Sequence, residues 1–501
     1  MPLKDIKLVD QPIKSLGLWV GKDLTLSVNK NLEEKKKKIK NLINMNKSRN
    51  ISIKGKVTLL RSIVLPHLLY IASVIPIPMD FIKEIDQCFF EFVWPNGKHH
   101  VKKNVLIQDV CDGGLKMPDV YSMLSALKLT WVKRLLNENN ECTRIAQATS
   151  GVSNFAFLLE KKYDNTNLLG VTDFYRSILE EWASVHNTEP ISATEVLNEI
   201  LWYNNRIRID KKTVFFKNWH NAGIQNVYDI FNFAHKKYLS IIELQEKFNI
   251  LIRTMEYNSL ISSIPKAWLR SIKEGNVNRI VKIDALRVKL NKLYKNVRKV
   301  HCKEFYSIFV RKKITPVTCI SKWETLYEDL TFDWSGIYCC SFENTRETTL
   351  QSFQYKVINR YIPCNINLHR WKKSESDLCC YCGSLETIEH FLYECNLTRS
   401  LWSGFFEWWQ TVTKTYISCS LLDILFGIAN PEKNPEIIIL NFCIIFVKYY
   451  IYKSKIHGKN TNLQWMKREM KDRILCEKCI LLQQNKHSEY YKLWHPILQK
   501  L

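Results

Sequence analysis

The chain has 501 residues and a formal net charge of +24, with 73 Lys and Arg against 49 Asp and Glu. Hydrophobic residues make up 46% of it, which excludes an intrinsically disordered protein; this length predicts roughly two to four domains. The charge is segregated, because residues 1–60 hold 14 basic and 5 acidic residues and residues 266–313 hold 15 and 3. Segregated positive charge indicates a polyanionic partner, most simply nucleic acid, although a solvated lysine-rich surface gives the same composition.

The apolar segments do not predict secretion or a membrane span. The first ten residues lack the apolar region of a signal peptide. The longest apolar run, 437–452, is interrupted by Asn441 and Lys448, so we expect a buried helix that Asn434 caps and Pro435 begins. The 16 cysteines are then expected to be thiols or metal ligands in a reducing compartment.

The N-terminal part of the chain begins with a short β-prone element and continues as helices. Residues 6–20 hold β-prone runs around Pro12 and Gly17. Residues 29–46 predict a basic amphipathic helix, and residues 51–78 predict a second helix that Pro66 should kink. In the first helix the inward positions are Leu32, Ile39, Leu42 and Ile43, and the outward ones are Lys35, Lys36, Lys37 and Lys38.

The kinked helix carries three basic residues that are suited to phosphate contacts. Lys54, Lys56 and Arg61 would face the backbone of a duplex, where cations act with little sequence preference. The alternative is that they only keep the helix soluble. Residues 113–136 predict a turn and then a helix, and the polar stretch 137–152 predicts a boundary.

The middle of the chain is rich in aromatic residues. Trp202, Trp219 and Tyr228 fit a hydrophobic core better than platforms for base stacking, because aromatic side chains contribute so much to core stability. Residues 280–303 predict an amphipathic helix, since Leu286, Leu290, Leu293, Val297 and Val300 recur at helical spacing. Its basic ridge is the best candidate outside the kinked helix for following phosphates: Lys292, Lys295, Lys299 and Lys303.

A further helix is predicted over residues 345–361. Its apolar positions are Leu350, Phe353, Val357 and Tyr361, whereas Lys356 and Arg360 share the side expected to be exposed and to contact nucleic acid.

Directly after that helix, four soft ligands follow one another at C-x2-C-x7-H-x4-C spacing. They are Cys379, Cys382, His390 and Cys395. Thiolate and imidazole ligands suit tetrahedral Zn²⁺, and Gly383 suits the tight turn that presents the first pair. Chance pairs occur in a cysteine-rich chain, such as Cys476 and Cys479, but a complete set in one short segment predicts a metal site.

Residues 345–363 and 376–395, with Leu401 and Trp402, resemble the zinc-binding segment near the end of non-LTR (LINE-type) retrotransposon reverse transcriptases. The four ligands fall on that family's ligand positions, while Cys380 is extra. The resemblance continues in the family's order along the chain. Ser15 to Leu18 resemble the end of the family's palm. Residues 51–78 resemble its thumb, including Gly55, Lys56, Pro66 and Tyr70. The resemblance continues over residues 89–100, 113–136 and 201–230.

The resemblance implies a mainly α, multidomain fold with a short β element at the N-terminus and a small zinc-knuckle-like Cys/His module near the C-terminus. The expected domains are the end of the palm (1–28), the thumb and following helices (29–136), a helical linker region (153–300) and a C-terminal helical domain (301–501) whose zinc-binding segment covers about 345–405.

The function implied is that of a C-terminal fragment of an RNA-directed DNA polymerase, binding template RNA and target DNA around one structural Zn²⁺. No two aspartates are adjacent anywhere in the sequence. Since polymerases need clustered carboxylates to hold two Mg²⁺, no catalytic residues are expected and the chain alone should be inactive.

Two other readings remain open. The chain is alternatively a host-adopted nucleic-acid-binding protein derived from a retrotransposon, or a zinc-dependent protein-interaction adaptor. A cross-braced adaptor needs a second ligand set, and Cys364 and His369 are the only nearby spares. We expect an intracellular ribonucleoprotein of nucleus and cytoplasm, neither secreted nor bound to a membrane.

Overall fold

The computed structural model describes residues 11–95, 99–150, 155–162, 171–186, 188–275, 286–290 and 293–495. Within these ranges 24 α-helices accompany four two-stranded sheets, so the fold is mainly α, as predicted. The helices are α1 (Leu24–Lys47), α2 (Ile53–Leu59), α3 (Pro66–Ala72), α4 (Met79–Val93), α5 (Lys103–Leu106), α6 (Val120–Leu135), α7 (Glu141–Ser150), α8 (Phe155–Glu160), α9 (Asp173–His186), α10 (Ala193–Leu197), α11 (Lys217–Asn221), α12 (Ile241–Phe248), α13 (Thr254–Ser263), α14 (Lys266–Glu274), α15 (Cys302–Arg311), α16 (Thr318–Leu326), α17 (Trp334–Asn344), α18 (Thr348–Ile358), α19 (Asn365–Arg370), α20 (Asn396–Thr413), α21 (Leu421–Phe426), α22 (Pro435–Ile456), α23 (Leu463–Gln483) and α24 (His487–Leu493).

Each sheet is a short antiparallel hairpin. The predicted N-terminal β element is the first of them, with Ile13 opposite Val20 and a turn in which Leu16 and Gly17 have positive φ angles of 49° and 81°. The strands are β1 (Ile13–Ser15), β2 (Leu18–Val20), β3 (Arg208–Ile209), β4 (Lys212–Thr213), β5 (Phe231–Asn232), β6 (Lys237–Tyr238), β7 (Arg287–Leu290) and β8 (Leu293–Asn296).

The helix predicted over residues 280–303 is wrong. The described part of that segment is the β7–β8 hairpin, followed by a 3-10 turn over Val297–Lys299. Val288, which the helical stripe omitted, is only 1% exposed, whereas Leu293, which the stripe included, is 76% exposed. Packing therefore follows the two-residue period of a strand. Lys292 lies outside the described residues.

The chain divides into two compact units, each built from three stretches. The first comprises Met1–Lys35, His67–Lys83 and Val120–Lys312. Trp202 and Trp219 are fully buried in one of its hydrophobic cores, and Tyr228 packs against the same core, so the core interpretation of these aromatic residues is confirmed. The domain boundaries expected from the resemblance stay predictions.

The second unit comprises Lys36–Pro66, Glu84–Asp119 and Lys313–Leu501, and its core is centred on α22. Asn434 caps this helix by accepting a hydrogen bond from the Glu436 amide, and Pro435 is its first residue, as predicted. The two polar residues that interrupt the apolar run of this helix, Asn441 and Lys448, form hydrogen bonds within the fold. Lys448 is fully buried and donates to the Gln354 Oε1 atom at 2.6 Å and to the Leu425 carbonyl oxygen at 2.8 Å.

Two helical runs, Ile53–Ala72 and Pro435–Ile456, are long and apolar enough to cross a membrane by length and composition. The apolar stretch of Pro435–Ile456 is 72% buried inside the protein, against 39% for Ile53–Ala72. Buried core helices pass the same test, and in this fold α22 buries Lys448, which donates two hydrogen bonds to neighbouring residues.

Where a kink is predicted at Pro66, the α-helical pattern is interrupted by a π-helical turn, Leu60–Val64, between α2 and α3. The Leu65 amide donates to the Leu60 carbonyl oxygen at 2.8 Å, one residue further back than in an α-helix. This widened turn directly precedes the proline, whose ring and missing N–H disfavour a regular helix.

Helix α18 is capped by a residue far along the chain. Glu477 of α23 is 2% exposed and accepts hydrogen bonds from the Arg346 amide at 2.8 Å, the Glu347 amide at 3.2 Å and the Thr345 hydroxyl. A carboxylate at this position satisfies amides that the start of the helix leaves unpaired. The predicted apolar positions of α18 and its end are all buried: Leu350, Phe353, Val357 and Tyr361.

Candidate metal centre

The first two ligands lie in a knuckle that is closed by backbone hydrogen bonds. Leu378 and Leu385 form an antiparallel bridge, and the Cys379 amide donates to the Ser384 carbonyl oxygen at 2.7 Å. The Gly383 amide in turn donates to the Cys379 carbonyl oxygen at 2.9 Å, with a φ of 73° that glycine adopts without strain. This tight turn brings Cys379 and Cys382 to the same side.

The other two ligands are the first residue of a second π-helical turn, His390–Glu394, and the residue that directly follows it, Cys395. The His390 amide donates to the Thr387 hydroxyl, and the Cys395 amide donates to the His390 carbonyl oxygen at 3.1 Å. Cys395 then directly precedes α20, where Trp402 Nε1 donates to the Leu392 carbonyl oxygen at 2.8 Å. The wide turn and the tryptophan hold the histidine and the last cysteine at the knuckle.

The four ligand atoms converge as a metal site requires. The atoms of Cys379, Cys382, His390 and Cys395 all lie within 4.8 Å of one another. The Cys379 and Cys395 sulfurs are 3.9 Å apart, and the Cys382 sulfur is 3.2 Å from His390 Nε2. Tetrahedral zinc with Zn–S bonds of about 2.3 Å places its sulfurs about 3.8 Å apart. The residues therefore fit a closed Cys3His zinc site, and the predicted ligand set is the one that the fold assembles.

Burial shifts the protonation equilibria of the thiol and imidazole groups in the cluster. Burial raises the pKa of the Cys379 thiol to about 12, so a cation is needed to hold it as a thiolate near neutral pH. Burial lowers the pKa of His390, which favours the neutral imidazole that binds metals.

A buried ion pair supports the cluster. The ammonium of Lys455, in the last turn of α22, lies 3.7 Å from a Glu386 carboxylate oxygen and 4.3 Å from the centroid of the Phe391 ring. Both charged side chains are 5% exposed. Sequence reasoning missed this pair, since nothing in the spacing links residue 455 to the ligand segment.

The loop after α18 is fastened to the ligand segment. Arg360 lies beyond the helix, with a φ of 57°, and pairs with Glu389 at 2.7 Å while its guanidinium stacks 4.0 Å from the Trp323 ring centroid. The Asn365 amide donates to Glu386 Oε1 at 2.9 Å. These contacts join the α18–α19 connection to residues that precede His390.

The cysteines outside the predicted set behave as expected. Cys380 is exposed and lies outside the group of converging ligands. Cys476 and Cys479 are both exposed on α23, where a CxxC pair falls on one side of a helix. In the part of the chain that the structure describes, these two cysteines join no cluster of metal-ligating side chains.

The basic residues predicted on the kinked helix differ in exposure. Arg61 is exposed, whereas Lys54 and Lys56 are half-buried. Burial, with the charges of Arg61 and Lys116, lowers the pKa of Lys54 to about 8. Their role in nucleic-acid binding stays a prediction.

Lys356 and Arg360 do not share an exposed side of α18, because both are half-buried and the helix ends at Ile358. Lys356 and Lys56 line the same cleft. Arg360 instead forms an ion pair with Glu389 and stacks on the Trp323 ring. Of the basic ridge predicted over 280–303, Lys295 is paired with Glu304 at 2.8 Å and Lys299 is exposed in the 3-10 turn.

Residues 300–402 match the family model described as "zinc-binding in reverse transcriptase". The matched range contains all four converging ligands, so geometry and family agree on the same segment. This segment is thus similar to the zinc-binding segment of reverse transcriptases, which supports the resemblance to the C-terminal region of a retrotransposon reverse transcriptase.

Proposed function

We propose that this chain binds nucleic acid as the C-terminal portion of a non-LTR, LINE-type retrotransposon reverse transcriptase. It would hold template RNA and target DNA inside the cell, as a ribonucleoprotein of nucleus and cytoplasm. The observation that carries the proposal is the coincidence of the zinc-binding reverse-transcriptase match at 300–402 with four ligand atoms within 4.8 Å of one another.

The charge distribution supports a polyanionic partner. The chain carries a net charge of +24, and much of it lies in residues 1–60 and 266–313. In this proposal the kinked helix with Lys54, Lys56 and Arg61 belongs to a thumb that rests on a template–primer duplex. Lysine and arginine at such positions add affinity without sequence preference.

One structural Zn²⁺ per chain completes the proposal. Bound zinc supplies a cross-link between the knuckle and the turn before α20. Cys379, Cys382, His390 and Cys395 fill all four positions of a tetrahedral site, so no position remains for water or substrate. The ion pair between Arg360 and Glu389 and the hydrogen bond from the Asn365 amide to Glu386 join the ligand segment to the loop that follows α18.

The chain alone would not polymerise DNA, because no pair of adjacent aspartates occurs in its sequence to hold catalytic Mg²⁺. We expect no primer extension by the purified chain on a primed RNA template with Mg²⁺. Extension above background in an independent preparation would disprove this part of the proposal.

Salt dependence tests the binding function. We expect the purified zinc-loaded chain to bind labelled RNA and DNA duplexes with similar affinity. The logarithm of the association constant should fall with the logarithm of salt concentration, with a slope of about 0.9 per phosphate neutralised on duplex DNA. Fluorescence anisotropy between low and physiological salt measures this slope. Affinity that does not change with salt would show that the charge is only a solvated surface.

A further inference from the structure

A deep cleft in the second unit is lined by residues from the start of α2, from α18, from α22 and from the segments around residues 94 and 371. Its volume is about 680 Å³. Sites for small ligands measure roughly 300–1,000 Å³, so the cleft has room for a nucleotide. No local sequence signal points to it, because its walls come from distant parts of the chain.

The charged residues that line the cleft are all basic. Lys56, Lys356 and Lys373 line it, and none of its lining residues is acidic. Lys56 and Lys356 are half-buried, and within the described residues no carboxylate lies within ion-pair distance of either. Burial lowers the pKa of both ammonium groups, and the charge of Lys56 lowers the pKa of Lys356 further. Two neighbouring cations that are partly desolvated and lack an acidic partner cost stability, which a bound anion would restore.

One wall of the cleft is aromatic. The exposed ring of His100 lies parallel to the Tyr361 ring, with centroids 5.0 Å apart and an interplanar angle of 5°. The half-buried Trp371 lies 5.2 Å from His100, and the buried Trp94 lies 5.7 Å from Tyr361. An exposed ring within a cluster of aromatic side chains offers a surface on which a nucleobase can stack.

Two polar groups on this wall lack a partner. In the described part of the chain, Trp94 Nε1 and the Tyr361 hydroxyl are buried without a hydrogen bond. Folded proteins pair nearly all such groups, so this wall is not arranged for stability alone. Unsatisfied donors beside a cationic cleft are typical of a site that a polar ligand completes.

A second cleft, also of about 680 Å³, shares His100, Tyr361 and Trp371 with the first. Lys322 and Arg370 line it, and it too has no acidic lining residue. Cationic groups thus lie on both sides of the same aromatic wall. Positive charge and aromatic surface, the two features by which proteins bind single-stranded nucleic acid, therefore adjoin here.

We propose that the two clefts bind a single-stranded nucleic acid, with one phosphate between Lys56 and Lys356 and a base on the wall formed by His100 and Trp371. This binding mode rests on the proposed nucleic-acid-binding function. It adds that the bound nucleic acid is single-stranded and lies in these two clefts. A duplex keeps its bases paired inside, so it can offer these clefts a backbone phosphate but no base. A single strand can turn a base and its phosphate into the cleft.

The experiment compares single-stranded and double-stranded RNA on the full zinc-loaded chain. The variant is Lys56→Gln with Lys356→Gln, and the matched control is Lys37→Gln with Lys38→Gln, which removes the same charge from exposed positions on α1. The probes are a labelled oligouridylate of about a dozen nucleotides and a blunt RNA duplex of the same length, in keeping with known single-strand site sizes. Fluorescence anisotropy gives both affinities.

We expect the cleft variant to lose at least about tenfold in affinity for the single strand relative to the control, because two charge-assisted contacts disappear. Duplex affinity should fall equally in variant and control. An equal loss on both probes, or a loss no larger than in the control, overturns the inference. If the unsubstituted chain binds neither probe, the proposed function fails instead. Lys56→Met with Lys356→Met repeats the test with the aliphatic packing retained, and thermal unfolding checks the fold.

The aromatic wall has its own test. Trp371→Leu should weaken single-strand binding, while Trp371→Phe should retain most of it, because a phenyl ring preserves stacking. With 5-iodouridine in the oligouridylate, ultraviolet crosslinks should fall on the peptides that contain His100, Tyr361 or Trp371. Crosslinks confined to other peptides would overturn the assignment of this wall.

Discussion

The metal-ligand segment and helix α22 belong to the same compact unit but are stabilised by different means. Between Cys379 and Cys395 the chain forms a knuckle and one wide turn, and the knuckle itself is largely exposed. Helix α22, by contrast, buries thirteen of its 22 residues, including Phe442, Phe446 and Ile451. One region depends on four side chains that meet at a point, whereas the other depends on apolar area removed from water.

This difference determines which substitutions should destabilise each region. A short loop-rich segment without its own core gains its stability from a metal, so one missing ligand removes most of it. A core helix shares its stability among many contacts, so single substitutions cost a few kcal/mol at most. The ion pair of Lys455 with Glu386 connects the two regions.

The largest effect is expected from Cys382→Ser. Cys382 is exposed, so serine disturbs no packing, but three remaining ligands should bind zinc more than about 100-fold more weakly. The neighbouring Cys380→Ser, also exposed, is the control and should keep its zinc. Elemental analysis measures the metal, and hydrogen exchange should show faster exchange in residues 379–395 with α22 unchanged. Zinc lost from Cys380→Ser but kept by Cys382→Ser would show that the ligand register is wrong.

A core substitution should act on the other region. Phe446 is fully buried in the core around α22, so Phe446→Ala should lower the free energy of unfolding by about 3–5 kcal/mol. Urea denaturation followed by circular dichroism measures the change. Tyr416→Ala, at a position 76% exposed, is the control and should change stability by less than about 0.5 kcal/mol. A loss below about 1 kcal/mol for Phe446→Ala would contradict the assigned core.

The buried ammonium of α22 should make stability depend on pH. Burial lowers the pKa of Lys448 from 10.5 to about 7. Between those values the unfolded chain binds a proton that the folded chain does not, so the free energy of unfolding rises with pH, by up to about 1.4 kcal/mol per unit. The cost of the buried lysine is therefore complete below pH 7 and disappears as pH approaches 10.5.

Lys448→Met should remove this dependence. The variant should be more stable than the unsubstituted chain at pH 6, and the gap should close by pH 10, as measured by denaturation at a series of pH values. Lys453→Met, at a position 42% exposed on the same helix, should not show this trend. A gap that stays constant with pH would mean that Lys448 keeps its proton in the folded state.

The smallest effect concerns the connection between the regions. Lys455→Met keeps the packing on Phe391 but removes the positive charge beside Glu386 and Cys379. Zinc affinity should fall by about tenfold or less, since supporting groups tune a metal site without forming it. A competition titration with a chromophoric chelator measures it, with Lys453→Met again as the control. A loss as large as that of Cys382→Ser would place Lys455 among the essential groups.

Local signals account for the parts of the fold and site that sequence predicted. The four ligands lie in one short segment, and the cap of α22 lies within two residues of its start, so neither depends on distant contacts. The helix interruption before Pro66 likewise depends on one residue and its neighbours. The match of 300–402 to zinc-binding segments of reverse transcriptases agrees with the predicted ligands.

The sequence predictions fail where contacts between residues far apart in the chain determine the local structure. The apolar residues of 286–300 recur every three or four positions, as in a helix, but packing of Val288 and Val297 into the core with α6 and α9 selects a hairpin. A short apolar run cannot separate these outcomes by period alone. Lys56 and Lys356 were each predicted to contact phosphate, yet their meeting in one cleft with Trp94 depends on contacts between residues far apart in sequence.

The Glu477 cap has a consequence for biosynthesis. The carboxylate that caps α18 lies 132 residues after Thr345. At roughly 5–20 residues per second, a ribosome needs about 7–26 s to cover that distance. During this interval the Arg346 and Glu347 amides, which directly precede α18, lack this carboxylate acceptor. The nascent chain therefore forms this contact only after α23 has been synthesised.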